Sequence, residues 1–399
     1  MSLVHVAPFG TFVTSHITDS YKAADVNIEV RLSNKGLEPA NCTVVNRVLD
    51  ATGREVVSTQ KSDITLAPKQ EEVKLLQSVK MNDIHLWNLE QPYLYTLYTD
   101  VYVGEKLVDT YSTNFGIRKI EFDPQKGFML NGCPVKLKGT NLHQDHAGVG
   151  TGIPDRLWEY RIKKMKTIGS NAIRTSHNPM SPVFLDLCDR LGMLVIEENR
   201  LMGINREHIG LLEHMIKRDR NHPCIILWSI GNEEWALEGN ERGLRITKSM
   251  SEYVHQLDST RLSTQGTAGG RVSLFGVDVK GYNYLRQNPI DEFHQKHPEW
   301  YSPVGSRKHQ DVVHVTFIIP IHYVVGWLPS IVRLKMIIIL LIQWQEAGSS
   351  IMTVLGWPDF SIGQDLIIEV NRIRCFIRLQ AHSLAYLIIA DSLKMKPFI

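Results

Sequence analysis

The chain is short of the features that mark several whole classes of protein. Its 399 residues hold five cysteines (Cys42, Cys133, Cys188, Cys224, Cys375), odd in number, scattered, and never spaced as a CxxC pair. That spacing predicts neither a disulfide framework nor a cysteine zinc site. Charge of one sign is not in excess: the formal net charge is +2 and the two signs are interleaved, so nothing favours a nucleic acid or a strongly acidic partner. The opening residues Met1-Ser2-Leu3-Val4-His5 lack a basic stretch followed by an apolar one. As written they predict no signal peptide and leave the compartment unknown. A Gly-rich phosphate loop is missing too. Gly139-Thr140-Asn141-Leu142 stands where a doubly wound nucleotide-binding sheet would carry one.

What is present is two successive periodicities. Asp25-Val26-Asn27-Ile28-Glu29-Val30-Arg31-Leu32 alternates with period two, as does Tyr98-Thr99-Asp100-Val101-Tyr102-Val103. Turn signals such as Ser33-Asn34-Lys35-Gly36 and Thr52-Gly53 separate such runs at the spacing of a β-sandwich. Residues 5–118 therefore predict an all-β domain, and the length of the chain leaves room for a second, larger one. After Phe122-Asp123-Pro124 the pattern changes to strands alternating with helices. Strands are predicted at 135–141, 171–177, 193–199, 225–233, 261–265, 277–285 and 303–306. Helices are predicted at 155–168, 181–190, 208–220, 240–257 and 289–296. Seven strands with intervening helices point to a (β/α)8 TIM barrel lacking its end, over 119–306.

The chemistry-bearing residues collect at the C-terminal ends of these strands, where parallel barrels keep their sites. Trp228-Ser229-Ile230-Gly231-Asn232-Glu233 ends a buried apolar run in an amide and a carboxylate. A retaining glycosidase needs a general acid/base carboxylate at such a place. The bland alternative is a Glu that caps the next helix. The first strand ends in Asn141-Leu142-His143-Gln144-Asp145-His146, the second in Arg174-Thr175-Ser176-His177-Asn178-Pro179, the sixth in Tyr282-Asn283-Tyr284. Singly, His143 or His177 would be a capping or packing residue. Together on successive strand ends they suit a polyhydroxylated substrate, which needs paired donors and acceptors. His143, Asp145 and His146 raise a metal alternative, but their spacing is not that of a zinc helix motif. Glu197-Glu198 is either a second carboxylate pair or, the preferred reading, a brace for Arg174 or Arg200.

These motifs together resemble glycoside hydrolase family 2, and its β-galactosidases most closely, over residues 5 to about 306. Pro92-Tyr93-Leu94-Tyr95-Thr96-Leu97 and Phe115-Gly116-Ile117-Arg118 look like the end of that family's immunoglobulin-like domain. Lys136–His143, Arg174–Pro179 and Trp228–Glu233 look like its first, second and fourth barrel strand ends. The resemblance implies that Glu233 is the general acid/base and that Asn232 binds the sugar 2-hydroxyl. It also implies that His143, Arg174, His177 and Tyr284 line the subsite of the sugar being cleaved, with a β-galactoside or related oligosaccharide as partner. Magnesium-dependent members carry a Glu and a His just after the third strand. Here Leu201-Met202-Gly203 stands there, so the resemblance carries over no metal and no cofactor. The family's N-terminal jelly-roll domain has no counterpart in the sequence, and a periplasmic or secreted parent is compatible with the family.

The pattern breaks at residue 306. A retaining glycosidase needs a second carboxylate about 5 Å from the first. The family places that Glu after a Gly-Ser or Gly-Thr pair, whereas Gly305-Ser306 is followed by Arg307-Lys308-His309-Gln310. Beyond this point Ile makes up about a fifth of the residues and no period holds. Arg-Lys-His-Gln can be encoded AGG AAG CAT CAA. One G restored in front gives GAG GAA GCA TCA, which reads Glu-Glu-Ala-Ser. The same shift lets residues 362–371 read Trp-Thr-Gly-Phe-Asp-Tyr-Arg-Gly-Glu, like the family's eighth strand. Residues 307–399 are expected to be a frameshifted translation that does not complete the barrel. The rival reading, a membrane segment over 312–332, is interrupted by His314, Pro320, His322 and Pro329.

The expected function is thus a retaining β-galactosidase type whose nucleophile is lost, with Arg307 in its place. A non-catalytic glycan-binding remnant and a chain that does not fold stably are the rivals. β-Glucuronidase or β-mannosidase specificity is the alternative within the family. The absence of an Asn-x-Lys pair near Tyr282–Tyr284 weakens the glucuronide case.

Overall fold

The computed structural model describes residues 2–123 and 126–283, with four short strands farther along the chain. The first domain is a sandwich of β1 (Val4–Ile17), β2 (Ala23–Asn34), β3 (Ala40–Leu49), β4 (Glu55–Ser58), β5 (Ser62–Leu66), β6 (Gln70–Asn82), β7 (Tyr95–Val103) and β8 (Lys106–Phe115). One antiparallel sheet runs β1-β2-β6; the other runs β4-β3-β7-β8, with β5 also pairing β3. The alternation read from 25–32 sets the inner face of β2. Ala24, Val26, Ile28, Val30 and Leu32 are all fully buried, and Asp25 and Asn27 face water. Val44, Val48, Leu97 and Val101 meet them in the same core, as expected of two inner faces packed together.

A small antiparallel ribbon, β9 (Ile120–Asp123), β10 (Gly127–Leu130) and β11 (Cys133–Pro134), leads into the second domain. There β12 (Gly139–His143), β13 (Ala172–Ser176), β14 (Leu194–Glu198), β15 (Ile225–Asn232), β16 (Leu262–Thr267) and β17 (Val279–Tyr282) form one parallel sheet in sequence order. Between them run α1 (Asp155–Thr167), α2 (Pro182–Leu191), α3 (Arg206–Asp219), the one-turn α4 (Trp235–Glu238) and α5 (Glu241–Leu257). This is a TIM barrel left incomplete among the described residues. All eight residues of β15 are buried, as the apolar run foretold, and a fully buried Ile or Leu side chain contributes about 1.5–3 kcal/mol.

Local signals set the helix ends. Ser181 precedes Pro182 at the start of α2, and Gly192 closes it in the left-handed region at φ 65°, where only a residue without Cβ escapes the Leu89 backbone. Asn205 and Asn240 accept from the backbone N–H of His208 and Gly243 to cap α3 and α5. One boundary differs from expectation. The first barrel strand begins at Gly139, not at 135, although Val135-Lys136-Leu137-Lys138 alternates. Leu137 is buried there without a ladder partner, because alternation reports which side faces the core, not whether a strand lies alongside.

The two domains are tied by hydrogen bonds between side chains and backbone groups. Asn221, just before β15, accepts from Val13 N–H (2.9 Å) and donates to Thr11 O (2.9 Å). Arg118 donates to the carbonyls of Pro223 and Ile225, and the Trp87 indole N–H donates to Asp189 O (2.9 Å). The described strands beyond residue 319 belong to a second unit. Its described strands pair antiparallel, β18 (Gly356–Trp357) with β21 (Ala385–Tyr386) and β19 (Asp365–Val370) with β20 (Ile373–Arg378). The expected strand 303–306, the helix 289–296 and the apolar stretch 312–332 lie outside the described residues. Among the described residues no helix is long and apolar enough to cross a membrane.

Candidate active site

The C-terminal ends of β13, β14 and β15 and the residue after β17 converge on one polar network. Arg174, 3% exposed, donates through Nε and Nη2 to Glu198 Oε2 (2.7 and 2.5 Å) and through Nη2 to Asn232 Oδ1 (2.6 Å). Asn283 Nδ2 donates to Asn232 Oδ1 (2.9 Å) and to Glu233 Oε1 (2.6 Å). Glu198 is fully buried; its other oxygen meets His177 Nδ1 at 2.6 Å, and Ser229 Oγ donates to Oε2 at 2.8 Å. The His177 and His143 rings lie edge to face, centroids 5.3 Å apart. Glu233, Asn232, Arg174, His177 and His143 therefore belong to one continuous rim, as the sequence grouped them. Tyr284 and Arg307 lie outside the described residues.

The backbone at Glu233 is itself unusual. Its φ is +52°, in the left-handed region that a non-glycine residue adopts at a cost of about 1–3 kcal/mol. The surrounding bonds hold it there: Glu233 N–H donates to Gly266 O (2.9 Å) and Trp235 N–H donates to Glu233 O (3.0 Å). The turn lifts Glu233 off the end of β15, and its carboxylate meets Asn283 instead of capping α4, whose N-cap position is taken by Glu234. Gly266 lies under the cluster. A Cβ there would sit 2.7 Å from Arg174 Nη2 and 3.0 Å from Asn232 Oδ1, so only glycine leaves room.

The charges are balanced inside the network. Burial alone would raise the Glu198 carboxyl, but the Arg174 guanidinium and the bonds from His177 and Ser229 outweigh it and hold the group below the ordinary carboxylate range. An ionised Glu198 only accepts, so His177 donates to it through Nδ1–H. Burial and the neighbouring His177 push His143 below the ordinary imidazole value, which favours its neutral form. One face of the network thus presents the two imidazoles and an amide, with the Arg174–Glu198 pair locked behind them.

Glu197, next to Glu198, points the other way. Its Oε1 accepts from Met180 N–H (3.0 Å) and lies 3.9 Å from Arg218. The expected brace therefore holds for Glu198 and Arg174, whereas Glu197 belongs to the outer layer of the barrel. Asn283 is the partner that the sequence reading left without a role; its signal was its position at the end of the sixth strand. The Asp145 and His143 carbonyls accept from Arg161, which fixes the first loop from α1. His143, Asp145 and His146 do not form a ligand set. Among the described residues the group spaced for a cation is Asp186, Asp189 and His222. There Asp189 already accepts from Cys224 N–H (2.9 Å) and His222 Nδ1 (2.5 Å).

Buried Arg174, Glu198 and His177 thus orient the Asn232 amide and the Glu233 carboxylate at the mouth of a parallel barrel. Comparison with known proteins gives the family. The model of glycosyl hydrolases family 2 matches residues 4–118, and that of the family's TIM barrel domain matches 123–210 and 204–313. The chain belongs to glycoside hydrolase family 2. It is 36% identical over 328 residues to beta-galactosidase BoGH2A of Bacteroides ovatus, covering 70% of this chain and 38% of that protein. It is 31% identical to a putative beta-glucuronidase of Formosa agariphila, covering 70% of this chain and 26% of that protein. Its fold is also similar to a solved family 2 member from Bacteroides cellulosilyticus, with a TM-score of 0.70 and 33% identity over 75% of this chain and 42% of that one. The chain spans well under half the length of these relatives.

Proposed function

We propose that the chain is part of a retaining β-galactosidase whose acid/base machinery is intact and whose nucleophile is lost. In this reading residues 5–118 are the immunoglobulin-like domain, 119–306 carry the barrel, and 307–399 are a frameshifted translation. The observation that carries it is the bond from Asn283 to Glu233 Oε1 within a network anchored by Arg174 and Glu198. Glu233 protonates the glycosidic oxygen as the bond breaks and later activates water. Asn232 spends its Oδ1 on Arg174 and Asn283, which turns its Nδ2 toward a sugar hydroxyl. Arg307 supplies no electron pair to an anomeric carbon, and its charge opposes an oxocarbenium-like transition state.

As written, the chain is expected to release an aryl β-galactoside at background rate. General acid help alone contributes about 10²–10⁴-fold, far below what glycoside hydrolysis needs. Restoring one base before the Arg307 codon, and with it the reading frame, is expected to restore turnover, and Glu233→Gln in the repaired chain to remove it. Turnover by the unrepaired chain that Glu233→Gln abolishes would refute the lost nucleophile. β-Glucuronidase specificity is the second reading, favoured by relatives that bear that name. An aryl β-glucuronide tested beside the galactoside separates the two. Sugar binding without turnover in the repaired chain would mark a glycan-binding remnant.

A further inference from the structure

A second carboxylate near the rim does no chemistry in this reading and is nonetheless almost completely enclosed. Glu238, 3% exposed, ends the one-turn helix α4 that follows Glu233. Its carboxylate accepts from three successive backbone N–H groups: Ala268 (2.9 and 3.1 Å), Gly269 (3.2 Å) and Gly270 (3.1 Å). The approach is close enough that a Cβ on Gly270 would overlap the Glu238 side chain. These amides begin the loop after β16. The same stretch of backbone supplies Gly266 O to Glu233 N–H and Thr267 O to Asn283 N–H, each at 2.9 Å. A closed circuit results: Glu233 leads through α4 to Glu238, Glu238 grips 268–270, and the carbonyls just upstream grip Glu233 and its partner Asn283.

We infer that Glu238 is a positioning residue for the acid/base, holding the end of β16 and the 268–270 loop that leaves it so that Glu233 keeps its left-handed turn and its bond to Asn283. The inference rests on the glycosidase reading of Glu233, and it adds a residue that neither motif nor strand-end position singles out. A left-handed non-glycine residue persists only where its surroundings over-determine it. Here the restraint is the Gly266 carbonyl near the end of β16, and the Glu238 bonds anchor the chain directly where it leaves that strand. Three amide donors aimed at one enclosed carboxylate give the loop a single stable place; an amide side chain supplies one acceptor oxygen and turns a donor against them.

The test compares the full chain with Glu238→Gln and Glu238→Asp by residue-resolved amide hydrogen exchange, and measures affinity for a galactose-configured iminosugar. Glu238→Gln is expected to speed exchange about tenfold or more at Ala268–Gly270 and at the Glu233 amide, the loss of one charge-assisted bond. The amides of Ile28 and Val101 in the sandwich are expected to stay unchanged, with Glu238→Asp intermediate. Iminosugar affinity is expected to fall about tenfold in Glu238→Gln, but not to fall further when Glu238→Gln is added to Glu233→Gln, because the effect passes through Glu233. Faster exchange at 268–270 with the Glu233 amide unchanged would overturn the inference and make Glu238 a loop staple. Faster exchange throughout, or a full additive loss in the double variant, would overturn it as well. The affinity arm is run on the chain with its reading frame repaired; if that chain binds no iminosugar the glycosidase reading falls, and the exchange at Glu233 still decides the role of Glu238.

Discussion

Replacing Glu198 by Gln tests how the site holds its charges. In the parent chain the two Glu198 oxygens accept from Arg174 Nε and Nη2, His177 Nδ1 and Ser229 Oγ, with no part of the residue exposed. Glutamine keeps the shape, but it has one acceptor oxygen where four donor bonds converge, and its NH2 faces either Arg174 or His177, both donors. Arg174 is left 3% exposed with its carboxylate partner gone. Breaking one side of such a buried pair costs about 3–5 kcal/mol, a large part of the roughly 5–15 kcal/mol that holds a domain folded. Removing both sides costs less, since no buried charge is stranded. Arg174→Met with Glu198→Gln is therefore expected to be more stable than the sum of the single losses by about 2 kcal/mol.

Urea unfolding of the four proteins at neutral pH reads this directly, provided the transitions share one slope. The acid limb gives an independent check. Because Arg174, His177 and Ser229 hold the folded Glu198 carboxyl below its ordinary value of 4.5, its contribution is present above that value and is lost as the pH falls through the folded one. Glu198→Gln is expected to flatten that part of the stability profile. Additive single losses, or an unchanged acid limb, would refute the account of Glu198 as the charge partner of Arg174.

Three further outcomes follow from the same geometry. Glu197 is fully buried with Oε2 unpartnered, and burial together with the charge of Asp219 pushes its carboxyl well up. The stability it contributes is present below the ordinary carboxyl value and lost as the pH rises, so Glu197→Gln is expected to raise the melting temperature at pH 9 more than at pH 5. Burial lowers His222, but the Asp189 carboxylate 2.5 Å away outweighs it and raises the imidazole to about 9. That stabilisation is complete below the ordinary 6.5 and lost as the pH rises through about 9, and Asp189→Asn is expected to abolish the change between those limits in thermal scans. Gly266→Ala forces a methyl group against Arg174 and Asn232, an overpacking of about 1–3 kcal/mol, and isothermal titration is expected to show weakened sugar binding while the sandwich remains folded.

What the sequence made legible was the burial of each strand and the identity of its last residues. The period-two run at 25–32 placed the sandwich core, and the helix expected at 181–190 matches α2 to within a residue at each end. The run into Asn232-Glu233 placed the end of β15. The partners across the site were harder to read, because they join positions far apart: Arg174 reaches Glu198 across 24 residues, Asn283 reaches Asn232 across 51, and Ala268 reaches Glu238 across 30. A single sequence carries periodicity, which is local, and carries no record of which loop closes over which. The adjacent pair Glu197-Glu198 makes the point physically. Identical in type and neighbours on one strand, they differ only in parity. Parity turns Glu198 inward to Arg174, where it is held as an anion, and Glu197 outward toward Arg218 and Asp219, where it is driven to keep its proton. The chemical state of each carboxylate thus follows from the face that strand parity gives it, and the inward one is the one that meets Arg174 and His177.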